Sequence, residues 1–213
     1  MKKELILYEN FENESLGNLL RWRCEPRKWF LDTSSSQLVL ETDEKTDYWQ
    51  KTHYGFQADN GHFLYTKTSK NFRMTTKVTI TPKNRYDQAG LMIRISENTW
   101  IKTSLEFIPD GLSKLGVVVT NRGYSDWSTK YVDCEDTVQL YYQLSRIDQN
   151  CYVNYSWDGK EWFQIRIAHL DIPDGSPILA GVYASSPQDK GQEVRFDFLS
   201  IEELDNDPRA AYL

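Results

Sequence analysis

Apolar and polar residues alternate with a period of two along most of this chain, and that pattern leaves room for little besides β-strands. The alternation is plain over 76–81, 89–95, 100–107, 117–120, 138–146, 152–157, 178–184 and 193–201, and weaker over 5–11, 37–42 and 161–167. Turn chemistry separates the segments: Pro82-Lys83-Asn84, Pro109-Asp110-Gly111, Asn121-Arg122-Gly123, Asp158-Gly159 and Pro173-Asp174-Gly175. Asp158-Gly159, set between Val153–Trp157 and Glu161-Trp162-Phe163, is a strong hairpin signal. No apolar stripe at helical spacing lasts beyond two turns, and 15–23 is the one short helix candidate. At 213 residues, such a chain is expected to form an all-β, two-sheet antiparallel jelly-roll sandwich. The expected layout is one domain over 1–204 and a loosely held tail over 205–213.

Composition narrows the function classes. The formal charge is −6, the wrong sign for a sequence-independent nucleic-acid binder. No run approaches the length of a membrane span. The start MKKELILYENFENE has too short an apolar stretch for a secretory leader, so a reducing cytoplasm is the expected setting. Cys24, Cys134 and Cys151 are odd in number and far apart, without metal-ligand spacing. Aromatics are unusually frequent at 14%; they suit strands and cores, and they also make stacking platforms for flat ligands.

The segment 86–107 is the most informative. Ala89, Leu91, Ile93 and Ile95 share one face of its first strand with Ile101, Thr103, Leu105 and Phe107 of the second. The other face gathers Gln88, Gly90, Met92, Arg94, Trp100, Lys102, Ser104 and Glu106. An ordinary solvated face with cross-strand Arg94/Lys102–Glu106 pairing fits this pattern, and so does a groove holding a polar ligand. A second cluster, 47–63, packs Tyr48, Trp49, His53, Tyr54, Phe56, Asp59, His62 and Phe63 around the turn Asp59-Asn60-Gly61. Its histidines are expected to hydrogen-bond to backbone in a folded loop rather than to bind metal with Asp59. A third, 117–131, places Asn121, Tyr124, Ser125, Asp126, Trp127 and Ser128 in a polar, aromatic loop after a strand.

These clusters carry a resemblance. The blocks are Asp47-Tyr48-Trp49, Thr52-His53-Tyr54-Gly55-Phe56, Asp59-Asn60-Gly61-His62-Phe63, Tyr86-Asp87-Gln88-Ala89-Gly90-Leu91-Met92, Lys102-Thr103-Ser104-Leu105-Glu106, Val118-Val119-Thr120-Asn121, Ser125-Asp126-Trp127-Ser128 and Tyr155-Ser156-Trp157-Asp158-Gly159. In order and number they resemble the bacterial and fungal "regulation of enolase protein 1-like" domains of the concanavalin A-like lectin/glucanase superfamily. The 86–106 block is also similar to the β-sandwich module appended to some β-xylosidases. The resemblance implies a jelly roll with one concave and one convex face. The polar face of 88–106 then becomes the candidate concave face.

Related glucanases place two carboxylates on one strand at E-x-D-x-E-type spacing. The acidic pairs here, Glu12-Asn13-Glu14, Asp43-Glu44, Glu135-Asp136 and Glu202-Glu203, do not reproduce it, and Glu106 has no carboxylate two or four residues away. The leading expectation is therefore non-catalytic recognition of a carbohydrate or sugar phosphate. Its expected ligand-binding residues are Tyr54, His62, Tyr86, Asp87, Gln88, Arg94, Trp100, Lys102, Glu106, Asn121 and Trp127, with no cofactor and no metal. Tyr54, Trp100 and Trp127 would stack on sugar rings, and the polar members would supply directional hydrogen bonds. The alternatives are a protein-interaction module acting on a metabolic enzyme, or a glycoside-processing enzyme using Glu106 with His53 or His62.

Overall fold

A computed structural model describes residues 4–134 and 136–212. Lys2 and Lys3 of the N-terminal stretch, Glu135 of the pair Glu135-Asp136, and Leu213 lie outside the described residues. The described residues contain seventeen strands and one short 3-10 turn. The strands are β1 (Leu5–Glu9), β2 (Arg21–Arg23), β3 (Lys28–Asp32), β4 (Gln37–Glu41), β5 (Tyr48–Gln50), β6 (Gln57–Asp59), β7 (His62–Thr68), β8 (Phe72–Thr81) and β9 (Gln88–Ser96). There follow β10 (Thr99–Glu106), β11 (Ser113–Asn121), β12 (Tyr124–Val132), β13 (Val138–Ile147), β14 (Asn150–Ser156), β15 (Phe163–His169), β16 (Ile178–Ser185) and β17 (Glu193–Glu203).

They form two antiparallel sheets. One runs β15-β14-β13-β8-β17-β4-β3, with β1 also paired to β17, and the other runs β12-β11-β10-β9-β16-β7-β2. Their inner faces interdigitate in one continuous core, including Leu91, Ile93, Ile101, Leu105, Val117 and Val119 from one sheet and Met74, Val78, Leu144, Phe196 and Ile201 from the other. The fold is thus the expected all-β sandwich, and the face division expected for β9 and β10 holds. Lys102 lies opposite Met92, Ser104 opposite Gly90, and Glu106 opposite Gln88.

Three segments differ from the sequence reading. Residues 15–23 form no helix: the chain loops and then enters β2, because two turns are too few to bury a stripe against a sheet. Residues 124–132 are an edge strand, not a loop; the exposed side chains of an edge dilute the alternation. The segment 205–212 is held in place: Pro208–Tyr212 makes a 3-10 turn, Ala211 is buried with Ile147, Tyr152 and Leu204, and Arg73 Nη2 donates to Ala210 O at 2.8 Å.

A small two-stranded hairpin, β5–β6, belongs to neither sheet. It lies across the outer face of the seven-stranded sheet and decides which part of that face stays open.

Candidate functional site

The outer face of the seven-stranded sheet is assembled by register. Trp100, Lys102, Ser104 and Glu106 of β10 face the same way as Arg94, Met92, Gly90 and Gln88 of β9, and as Thr120, Val118, Gly116 and Lys114 of β11. β12 continues the face with Ser125, Trp127, Thr129 and Tyr131, and β16 with Leu179, Gly181, Tyr183 and Ser185. At Gly90 a side chain would press a Cβ to within 2.0 Å of Thr103 O, so glycine lets the two strands keep their approach there.

Tyr48 roofs the middle of this face. Its ring is fully buried among Phe63, Met92, Trp100, Val118 and Tyr183, edge-on to Trp100 and Tyr183 at centroid distances of 6.1 and 6.3 Å. Its hydroxyl donates to Gly61 O at 2.6 Å, and burial raises its pKa far above the usual phenol value. Gly61 permits this seat, since a Cβ there would lie 2.5 Å from the Tyr48 ring. Three polar clamps hold the roof down. Arg94 makes a two-point ion pair with Asp59 (2.6 and 3.3 Å), which Arg23 also joins at 2.6 Å. Lys102 Nζ pairs with Asp47 Oδ1 at 3.1 Å and donates to Gln88 Oε1 at 2.8 Å. Gln50 N–H donates to Ser125 Oγ at 2.9 Å.

Most of the expected ligand-binding residues are therefore engaged by the protein itself. Trp100, expected as a stacking platform, is completely buried under Tyr48. Arg94 and Lys102 answer Asp59 and Asp47 instead of Glu106. Gln88 accepts from Lys102 and lies 3.1 Å from the Tyr183 hydroxyl. Asp87 is fully buried on the opposite side of β9 from Gln88, where its Oδ2 accepts the N–H groups of Lys83 and Asn84 at 2.8 Å. Asn121 ties two loops, donating to His169 O and accepting from Asp171 N–H. His62 fastens backbone: its Nδ1 lies 2.6 Å from Cys24 O, and its Nε2 accepts Asp43 N–H at 3.0 Å. These contacts fix a neutral ring, and burial depresses its basicity. Asp59 is taken by two arginines, so the His53–His62–Asp59 set does not converge on a metal. Among the described residues no group of three His, Cys, Asp or Glu side chains could hold one. Tyr54 is exposed on the hairpin tip, stacked on Phe56 at 6.0 Å. Cys24, Cys134 and Cys151 are free thiols.

What remains open is the end of the face beyond the roof. Glu106 sits there with 8% of its surface exposed, and no described side chain or backbone group hydrogen-bonds its carboxyl. Burial pushes this carboxyl up to about 7; Asp47 adds to the effect, while Lys102 and Lys114 oppose it. Lys114, directly across from Glu106 on β11, rests its ammonium over the half-buried Trp127 at 4.7 Å. Trp127 in turn meets Trp49 edge-on at 6.3 Å. Tyr86 borders the same end, its N–H donating to Phe107 O at 2.7 Å. Lys114, Trp49 and Asp47 escaped the sequence reading as parts of this end. β11 begins at Ser113, earlier than the 117–120 alternation, and so carries Lys114 on the face; only the folded hairpin brings Trp49 and Asp47 to it. The carboxylates available as partners of Glu106 in hydrolysis are each engaged: Asp47, at this end, by Lys102 at 3.1 Å, Asp126 by Arg166 at 2.8 Å, and Asp87 by the N–H groups of Lys83 and Asn84. A separate groove of ≈ 390 Å³ runs along the outside of the hairpin, lined by Lys45, Asp47, Phe56, Gln57, Ala58, Asn60 and Pro187.

Comparison with known proteins agrees with this architecture. The chain is 36% identical over 180 residues to the Saccharomyces cerevisiae protein named "Regulation of enolase protein 1", covering 84% of this chain and 87% of that one. A crystal structure of a functionally unknown protein from the same yeast superposes with a TM-score of 0.79 at 34% identity, over 87% of this chain and 97% of that one. The glycoside hydrolase family 43 protein BlXynB of Bacillus licheniformis matches with a TM-score of 0.73 at 18% identity; the match takes in 92% of this chain but 39% of that one, and shows a shared fold. No helix is long and apolar enough to cross a membrane among the described residues. The family profile described as "Protein of unknown function (DUF1349)" matches residues 22–204, and the chain belongs to that family.

Proposed function

We propose that this chain is a recognition domain that takes a small hydroxylated ligand of the carbohydrate class, without turning it over, at the open end of the seven-stranded sheet. The observation that carries the reading is Glu106, a residue 8% exposed whose carboxyl has no described hydrogen-bond partner, directly across from Lys114, whose ammonium in turn rests over Trp127. A largely buried carboxyl that no protein group satisfies is left to solvent or to a ligand. A carboxyl can accept from two neighbouring ring hydroxyls, an ammonium can donate to a third, and an indole covers the apolar side of a sugar ring. The site is smaller than the sequence reading expected: of that set it keeps Tyr86, Glu106 and Trp127, drops Tyr54, His62, Asp87, Gln88, Arg94, Trp100, Lys102 and Asn121, and adds Lys114, Trp49 and Asp47. The test is a thermal-shift screen against mono- and oligosaccharides. A sugar that raises the melting temperature of the wild type is expected to leave Trp127→Ala and Glu106→Ala unmoved. A response that survives both substitutions sinks the reading.

A second reading, regulation of a metabolic enzyme by docking, draws on the name of the yeast relative and on the exposed Tyr54–Phe56 stack at the hairpin tip. It predicts that purified enolase binds the chain and that Tyr54→Ser abolishes the complex; absence of a complex with the wild type removes it.

A further inference from the structure

Glu106 and Lys114 stand directly opposite each other on β10 and β11, a position where unlike charges ordinarily pair. Here they do not: their charged groups are not within the 4.0 Å of an ion pair, and the Lys114 ammonium lies over the Trp127 ring instead. Lys114 has no described carboxylate partner, and Glu106 has no described hydrogen-bond partner. A neutral sugar would answer the carboxyl and leave the ammonium without a counter-charge. The charges around Glu106 come from four elements. Lys102 lies on its own strand, Lys114 on β11, and Asp47 in the roof; Tyr183 of β16 is kept neutral by burial, beside Ser104 at 2.7 Å. Asp47 is already held by Lys102. When Glu106 carries a proton, two cations therefore face one anion, inside a chain whose formal charge is −6.

We propose that the ligand of this end is an anionic sugar, its carboxylate or phosphate taken by Lys114 together with the acid form of Glu106, and its ring lying against Trp127. The inference rests on the carbohydrate-class reading above and narrows it. The Glu106 acid donates one hydrogen bond to the anion and Lys114 a second, both charge-assisted. Ionisation of Glu106 replaces a donor with a repelling charge. Binding of the anion therefore weakens as pH rises through the Glu106 titration, near 7.

The experiment is calorimetric titration of the full chain with D-glucose, D-galactose, their uronates and their 6-phosphates, on either side of that titration. The expected result is that an anionic form binds about tenfold more tightly than its neutral parent on the acid side and loses about that factor on the alkaline side. The neutral sugars should change little with pH. Glu106→Gln, which keeps a hydrogen-bond donor and cannot ionise, should retain the anionic ligand at both pH values. Lys114→Met should erase the preference. Uronate and phosphate are told apart by which one binds, and either supports the inference. Neutral sugars binding as tightly as the anionic ones, without pH dependence, would overturn it and leave the carbohydrate reading standing. Binding by none of the six overturns both.

Discussion

Lys102→Met is expected to lower the unfolding free energy by about 3–5 kcal/mol, read as a shifted denaturant midpoint. Lys102 is 2% exposed, and its ammonium lies between Asp47, Gln88 and the rings of Trp100 and Tyr183, at 5.9 and 5.6 Å from their centroids. Methionine fills similar volume, so the loss comes from the partners left behind. The Asp47 carboxylate would be stranded under the roof, and Gln88 would lose a donor. Asp47 also accepts Tyr48 N–H at 2.7 Å, so its displacement should loosen the hairpin at the residue that seals the face. Pairing the substitution with Asp47→Asn keeps that acceptor and removes the charge, and the double variant should recover most of the loss. A loss below about 1 kcal/mol in the single variant, the range of a surface ion pair, would mean that Lys102 is solvated and the roof is not seated.

Glu106→Gln should do the reverse, and its effect should depend on pH. The Glu106 carboxyl is raised from 4.5 to about 7 in the folded chain. Between those values the folded protein holds a proton that the unfolded chain releases, so stability falls as pH rises through the window. The full difference is roughly 3 kcal/mol, from about 1.4 kcal/mol per unit. Glutamine has no charge to desolvate. At pH values above the window, the variant should be more stable than the wild type by up to that amount, and the two should converge below it. If the variant were the less stable one at alkaline pH, Glu106 would be paired with Lys114 and the open end would be an ordinary ion-paired surface.

The sandwich was legible because strand alternation is local: β9 and β10 declare both of their faces in their own residues, and the register follows from which faces are buried. The short strands β2, β5 and β6, three residues each, have no room for a period to show. The long edge strand β12 has its period blurred by exposure. The candidate site was legible only in part for a related reason. Alternation put Arg94, Trp100, Lys102 and Glu106 on one face correctly. It could not show that Tyr48, Asp47 and Asp59, more than 30 residues earlier in the chain, would fold back and consume three of those four. The cross-strand pairing of Arg94 or Lys102 with Glu106 fails for the same reason: the roof offers each cation a better-placed carboxylate. The 14% aromatic share divides accordingly. Trp100, Tyr48, Phe63 and Tyr183 form a second small core beneath the hairpin, and Trp127 and Trp49 remain as the indoles beside the open end.

Those indoles give the most direct measurement. Each tryptophan contributes one Nε1–H signal to a proton–nitrogen NMR spectrum of the chain, so the seven can be followed while a ligand that raises the melting temperature is titrated in. Trp127 and Trp49 should shift progressively with ligand, while Trp100, whose Nε1–H donates to Glu97 O at 3.1 Å beneath the roof, stays in place. Movement confined to indoles away from this end, such as the exposed Trp157, would contradict a site at Glu106.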